Sequence, residues 1–327
     1  MVPRTRLSYP DCVVDKLIGR DDAGAVIETS VVILTFRRPG DLARAIDSVR
    51  AQRGVATGFE IVVVDNDPDA SARLTVAAIA AQSRVPVRYV LEPRPGISQA
   101  RNAGVAAAAG RYLAFLDDDE AADLGWLAQF LATLRKFSAD AAVGPVLPCF
   151  PPDAPAIDAY RRRVYTRDAR VPTGTPLLRW NIGNSIFDKA RCFTDAEPFL
   201  PRLGRTGGED TVFLRQLTRR GRKMVWCGEA IVRESVPADR LAPDYLLRRA
   251  FRGAQTTTFA CTAVKPRELG RALRLMAAGG AQVVLYGPAA LALKALNHER
   301  WLPVMAKAVA GLGKLLWHPS LHLRLYR

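Results

Sequence analysis

Histidine is nearly missing from this chain of 327 residues: there are three, His298, His318 and His322, all within the last thirty positions. The body of the protein therefore has no imidazole for acid/base work or metal ligation, and carboxylates must carry both. The cysteines, Cys12, Cys149, Cys192, Cys227 and Cys261, are odd in number, far apart and without a C-x-x-C pair. That excludes a disulfide framework and a zinc ribbon, and it fits a reducing setting. No G-x-G-x-x-G follows the first apolar run and no G-x-x-x-x-G-K-[ST] occurs anywhere, so dinucleotide-binding and P-loop folds lose their main support. Met1 to Lys16 holds Arg4 and Arg6 but no apolar core of signal-peptide length, and no export is expected.

Acidic residues are scarce in one half only. Residues 201 to 327 hold 8 Asp/Glu against 22 Lys/Arg, whereas residues 1 to 200 hold 24 against 25, so almost all of the net charge of +15 is C-terminal. An anionic partner for that half is implied: nucleic acid, an anionic membrane surface or a phosphorylated ligand. Arginine makes up 39 of the 47 basic residues, as GC-rich coding would give, but coding bias does not explain the placement. Long uncharged runs are equally scarce. The one candidate, Leu275 to Leu293, has nineteen residues, is rich in Ala and Gly, and is broken by Gln282 and Gly287-Pro288. With Trp301 to Trp317 behind it, interrupted by Lys307 and Lys314, it reads as a helix or hairpin lying in a membrane interface; a membrane-inserted, bilayer-spanning helix and a buried helical pair are the alternatives.

What is present is a chain with 49% apolar residues, enough for one substantial domain plus an appendage or for two modest domains. Apolar, β-branched runs at Ser30 to Phe36, Phe59 to Asp65, Val85 to Glu92 and Tyr112 to Leu116 read as strands. Between them, helices are expected from Leu42 to about Arg50, from Ser71 to about Gln82, and from a Ser98 cap to near Gly110. Strands alternating with helices predict a doubly wound, mostly parallel sheet. A helix over Trp126 to Phe137 and a strand over Ala141 to Leu147 follow, then an irregular stretch from Pro148 to Pro176 of the kind that forms lids or binding loops. Order returns at Trp180 to Phe187 and in a helix from Gly207 to Arg220, and the pattern is helical and basic from about Pro237.

Ligands of such sheets bind beyond the carboxyl ends of the strands, and here those ends carry acids: Asp65 and Asp67 after the second strand, Asp117 and Asp119 after the fourth. In Asp117-Asp118-Asp119, alternation along an extended chain would send 117 and 119 to one side and 118 to the other. Like charges so close call for a cation, and Mg²⁺ or Mn²⁺ sharing its shell with phosphate oxygens suits them. The alternative is a solvated turn at the start of the following helix. Gly207-Gly208-Glu209-Asp210 puts two carboxylates at a helix start, where Asp210 has the chemistry of a general base and Glu209 that of its helper; a plain helix-terminal charge pair is the competing reading.

The ordered set V-V-I-L-T-F-R-R-P (31–39), E-I-V-V-V-D-N-D (60–67), R-P-G-I-S-Q-A-R-N-A-G (94–104), F-L-D-D-D-E (115–120), G-N-S (183–185) and G-E-D (208–210) resembles the family 2 glycosyltransferases of the A-type fold. The resemblance covers residues 29 to 240, leaving 1–28 as a lead-in and 241–327 as a basic, helical, membrane-associating region. It implies a nucleoside-diphosphate sugar donor, a UDP-sugar foremost, with Thr35, Arg37, Asp65, Asp67, Arg101, Asn102, Asp117, Asn184 and Arg240 around it. It also implies Asp119, with Asp117, on a Mg²⁺ or Mn²⁺ ion and Asp210 as base of an inverting displacement. Val232 to Arg240 and Leu247 to Gly253 are similar to a segment of members that build lipid-linked saccharides for bacterial exopolysaccharides. The Q-x-x-R-W signature of processive members is absent, Arg248, Arg249 and Arg252 standing in its neighbourhood, so single addition to a polyprenyl-diphosphate-linked acceptor at the inner membrane face is expected. A nucleic-acid-binding protein using the basic region is the contrary reading. It lacks a reading module or an aromatic stacking pattern, and no nucleic acid partner is expected. A magnesium-dependent phosphohydrolase and a non-catalytic relative complete the alternatives.

Overall fold

The computed structural model describes residues 27 to 321 except 153, 155, 156, 178, 179, 181, 205, 206 and 265. The expected lead-in, with Arg4, Arg6 and Cys12, therefore lies outside the described residues save for its last two positions, as do Pro155, Asn181 and His322.

Strands β1 (Ile27–Thr35), β2 (Gly58–Asp65), β3 (Val87–Leu91) and β4 (Tyr112–Asp117) alternate with helices α1 (Pro39–Arg50), α2 (Arg73–Ala81) and α3 (Ile97–Ala107). Then come β5 (Glu120–Ala122), α4 (Trp126–Phe137), β6 (Ala141–Val143), β7 (Val146–Cys149), α5 (Ala159–Tyr165), β8 (Ser185–Asp188), α6 (Lys189–Cys192), α7 (Glu209–Arg219), β9 (Met224–Trp226) and β10 (Val232–Ser235). Three helices end the described chain: α8 (Pro243–Ala263), α9 (Leu269–Ala295) and α10 (Trp301–Leu315). By contact density the chain divides into a first unit, 1–149, 166–204 and 217–235, and a second, 150–165, 205–216 and 236–327.

The first unit holds a sheet in the order β3-β2-β1-β4-β8-β6-β9, parallel except where β8 runs against β4 and β6. The expected mostly parallel, doubly wound sheet is present. Helices cover both of its faces, so its strands are apolar without alternation: Val31, Val32, Ile33, Ile61, Val62, Val63 and Val64 are all fully buried. Helix α1 presents Leu42, Ala45, Ile46 and Val49, and α4 presents Trp126, Leu127, Phe130, Leu131 and Leu134, each at helical spacing toward the core. A second sheet, β5-β10-β7, lay outside the sequence expectation because its strands have only three or four residues.

Several boundaries differ from those expected. Helix α1 begins at Pro39, where a fixed φ suits the first helical position. Ser98 sits in the first turn of α3, not at its cap; Gly96 precedes the helix, which stops at Ala107. The strand expected over 141–147 is cut by Gly144-Pro145 into β6 and β7, one in each sheet, and the irregular stretch contains α5.

In the second unit, Tyr165, Val236, Leu241, Leu246 and Leu302 form a buried cluster. Helices α9 and α10 approach through Gly279 and Gly311, where a Cβ on either would fall within 2.7 Å of the other's carbonyl oxygen. The outward side of α9 leaves Leu273, Val284, Leu285 and Leu291 more than 60% exposed. The unit carries 19 Lys/Arg against 8 Asp/Glu.

Candidate functional site

The loops after β1, β2 and β4 emerge side by side, because these strands are neighbours in the order β2-β1-β4. Their side chains are cross-linked through two consecutive arginines. Arg37 has a left-handed backbone, φ +58°, and sends its guanidinium to the β2 loop, where Nε and Nη2 each lie 3.1 Å from the Asp67 carboxylate and Nη2 lies 2.9 Å from Asp69. Arg38 turns to the β4 loop and places Nη1 3.3 Å from Asp118 Oδ1 and 3.1 Å from Asp119 Oδ2. Thr35 closes the same junction by donating to Asp118 Oδ2 at 2.8 Å. The Arg37 fork holds the Asp67 carboxyl below its ordinary range.

Asp65 is fully buried and works inward: Oδ1 accepts from the Asp67 N–H, and Oδ2 accepts from the Ala72 N–H and the Tyr89 hydroxyl. It fixes the loop that carries Asp67, and a direct nucleotide contact does not fit this geometry.

The acid turn differs from a simple alternation. Strand β4 ends at Asp117, so 118 and 119 lie in a turn and share Arg38 instead of pointing apart. Asp117 faces Arg101 of α3, which favours its ionised form, but burial dominates and raises the carboxyl to about 6. Burial likewise lifts Asp118 to about 7 against the pull of Arg38. Gly183 packs on this group: a Cβ there would fall on the Asp117 carboxylate oxygen, which explains why a glycine stands before Asn184.

The turn also joins the two sheets, since β5 begins at Glu120. Glu120 stands directly opposite Glu234 on β10, an arrangement that is repulsive by itself. Arg167 resolves it, its Nη2 lying 3.0 Å from both carboxylates. Removing one partner from a buried charge group leaves the others uncompensated, at a cost of about 3–5 kcal/mol. Arg167→Met is expected to lose stability on that scale in urea unfolding, and a change below about 1 kcal/mol would remove Arg167 from this role.

Other expected site residues are spent on framework. Asn102 exchanges two hydrogen bonds with the Phe199 backbone, 2.8 and 3.0 Å, and braces that segment and not the acid turn. Asn184 is fully buried, accepts from Trp126 Nε1 at 2.7 Å and donates to the Pro145 and Ala230 carbonyls, so its amide has no hydrogen left for a sugar.

The second unit holds Glu209, Asp210 and Arg240. Gly207 and Gly208 reach φ +75° and +95°, and a Cβ on Gly208 would meet Thr256 Cγ2 at 2.6 Å. Glycines let this loop enter α7 tight against α8. Glu209 is buried; Asp210 is half-buried, and its Oδ1 accepts from the Thr211 N–H at 2.6 Å and from the Thr211 hydroxyl at 3.2 Å. Oδ2 has no partner among the described residues. The Arg240 carbonyl accepts from the Tyr165 hydroxyl at 2.7 Å, and Arg249 lies over the Tyr165 ring.

Arg38, Glu120, Arg167 and Glu234 were missed by sequence reasoning, and Asp118 was sent to the wrong side of its loop. The R-R dipeptide at the end of β1 was a signal for the first; Arg167 lay in a segment without periodicity.

Among the described residues no three His, Cys, Asp or Glu side chains converge as a preformed metal cage. The oxygen-only donors of the acid turn nevertheless fit a hard divalent ion that uses one or two carboxylates and takes its other ligands from phosphate and water. A guanidinium nitrogen already straddles two of those carboxylates as a cation would.

Folding leaves a sign in the pH dependence. Between the unperturbed 3.8 and about 7, the folded chain keeps a proton on Asp118 that the unfolded chain has lost. Stability contributed by this group is therefore full at low pH and falls as pH rises through that window. Thermal midpoints of the metal-free protein across this range should decline more steeply for wild type than for Asp118→Asn; equal slopes would contradict the assignment.

Three comparisons bear on this geometry. The model of the family described as Glycosyl transferase family 2 matches residues 30–194. Succinoglycan biosynthesis protein ExoM of Rhizobium meliloti (strain 1021) is 32% identical over 237 residues, 70% of this chain and 74% of the relative. Among solved structures, S. aureus TarS 1-349 in complex with UDP-GlcNAc superposes with a TM-score of 0.53 at 15% identity, covering 76% of this chain and 70% of that one. GalNAc-T7 with UDP, GalNAc and Mn²⁺ gives 0.51 at 16% identity, covering 72% and 51%. At such identities the structural likeness speaks for the fold.

Proposed function

The chain is a member of the glycosyl transferase family 2, and from that membership we propose that it adds one sugar, by an inverting, metal-dependent displacement, from a nucleoside-diphosphate sugar to a hydroxyl of a polyprenyl-diphosphate-linked saccharide. The likeness to a succinoglycan biosynthesis protein supports exopolysaccharide assembly as the setting. The observation that carries the reading is the acid turn at the end of β4, set beside Thr35, Arg37 and Arg38 where the strand order turns.

Asp119, with Asp117 beside it, would hold Mg²⁺ or Mn²⁺, and the bound ion would offset the charge developing on the departing nucleoside diphosphate. Asp67, fixed by its fork with Arg37, and Thr35 border the nucleotide; Asp65 and Asn102 act as positioning residues beneath them, and Arg101 holds Asp117 from the α3 side. Asp210 receives the proton of the acceptor hydroxyl at Oδ2, its other oxygen being pinned by Thr211. Glu209 orients it, and Arg240 offers a guanidinium to phosphate oxygens.

The second unit brings the enzyme to an anionic membrane surface. Its excess of Lys/Arg attracts headgroups, and the apolar side of α9, the one helix among the described residues long and apolar enough to cross a membrane, meets the acyl boundary.

The test is transfer of radiolabelled sugar from a panel of UDP-, GDP- and dTDP-sugars to a polyprenyl-diphosphate saccharide. One donor should give a singly extended, chelator-sensitive product of inverted configuration. Release of free sugar or phosphate without need of an acceptor would sink the transferase assignment of this site in favour of hydrolysis.

A further inference from the structure

Two arginines stand next to each other at the end of β1, and they are held in different ways. Arg37 meets Asp67 with two nitrogens on two oxygens, at 3.1 Å each, and adds Asp69. That is a fork, the geometry in which a guanidinium is hardest to displace. Arg38 offers its acids a single nitrogen, Nη1, shared between Asp118 at 3.3 Å and Asp119 at 3.1 Å. The carboxylates are enclosed, 10% and 14% exposed, while the arginine side chain is 40% exposed and has solvent to move into. The positive φ of Arg37 is what splays the pair, one side chain to each neighbouring strand.

We propose that Arg38 is a displaceable counter-ion: it occupies Asp119 Oδ2, on the carboxylate that a divalent cation takes, and the cation must evict it. The inference rests on the metal reading of the acid turn. Its consequence is an order of binding. A free cation has to break the Arg38 contact to gain Asp119 beside Asp117, and its apparent affinity is scaled down to the fraction of molecules in which Arg38 has already moved away. A cation arriving on a nucleoside diphosphate brings further ligands and negative charge, and so meets a smaller penalty. Arg38 thus favours the metal–nucleotide complex over the bare ion.

The experiment is Mn²⁺ binding to the full chain, followed by electron paramagnetic resonance without nucleotide and then with UDP, for wild type, Arg38→Ala, Arg38→Lys and Asp119→Ala. Arg38→Ala should bind bare Mn²⁺ about tenfold more tightly than wild type. Arg38→Lys, which keeps a point charge, should stay close to wild type. Arg38→Gln replaces Arg38→Ala if the latter does not fold. Unchanged or weaker Mn²⁺ binding by the neutral variants, with Asp119→Ala still abolishing it, would overturn the role of Arg38 and leave the metal reading standing. Absence of Mn²⁺ binding in wild type, with and without UDP, would remove the metal reading and this proposal together.

Discussion

Asp119→Ala should abolish metal-dependent stabilisation by nucleoside diphosphate and lower kcat/KM by about a thousandfold, the scale on which one well-placed electrostatic partner of a leaving group acts. The chain should still fold. Asp119 sits in the turn after β4, its carbonyl accepts from the Ser235 N–H at 2.8 Å, and that backbone bond survives removal of the carboxylate. Its side chain is bound to Arg38, a contact part-open to water whose loss costs little. Thermal unfolding gives both readouts at once. Without ligand, the variant should unfold close to wild type. With UDP, GDP or dTDP and Mn²⁺, wild type should gain about 2.7 kcal/mol at a ligand concentration a hundred times Kd, and the variant nothing. Retention of the metal-dependent shift by Asp119→Ala would place the ion elsewhere, and loss of the fold would reassign Asp119 to structure.

The elements that were legible in the sequence are those whose pattern is local. Strands β1, β2 and β4 could be read because burial on both faces demands unbroken β-branched runs, and α1 and α4 because one buried side repeats at helical spacing. The acids at the strand ends were visible for the same reason: a strand that stops at a carboxylate is a local event. What stayed hidden depends on partners distant in the chain. Strands β5, β7 and β10 are too short to show a period, and they exist because they pair across 86 to 114 positions. Arg167 is intelligible only once Glu120 and Glu234 are known to face each other.

Side-chain direction was the other hidden variable. Asp118 was assigned away from its neighbours by strand alternation, but the strand ends one residue earlier and the turn brings Asp118 to Arg38 and Thr35. Asn184 has the chemistry of a sugar contact, yet Trp126, Pro145 and Ala230 consume its amide. Residue type limits what a side chain can bond to, and packing decides which of those bonds is made.

Asp210→Asn should lower kcat by about a thousandfold, within the range of general-base catalysis, while donor binding stays as in wild type. The substitution keeps the shape of the side chain, and the oxygen that accepts from the Thr211 N–H can remain in place, so α7 starts as before. Only the capacity of Oδ2 to take a proton is lost. Glu209→Gln should cost less, because the part proposed for this buried residue is to orient Asp210 and not to take the proton. The two variants separate base from helper by where the defect falls: Asp210→Asn in kcat with an unaltered KM for donor, Glu209→Gln in a smaller kcat loss together with a changed KM for acceptor. A kcat for Asp210→Asn within about tenfold of wild type would exclude Asp210 as the base, since loss of proton abstraction alone is worth at least about a hundredfold. If Glu209→Gln instead shows the larger loss, the acidic pair exchanges roles and Glu209 takes the proton.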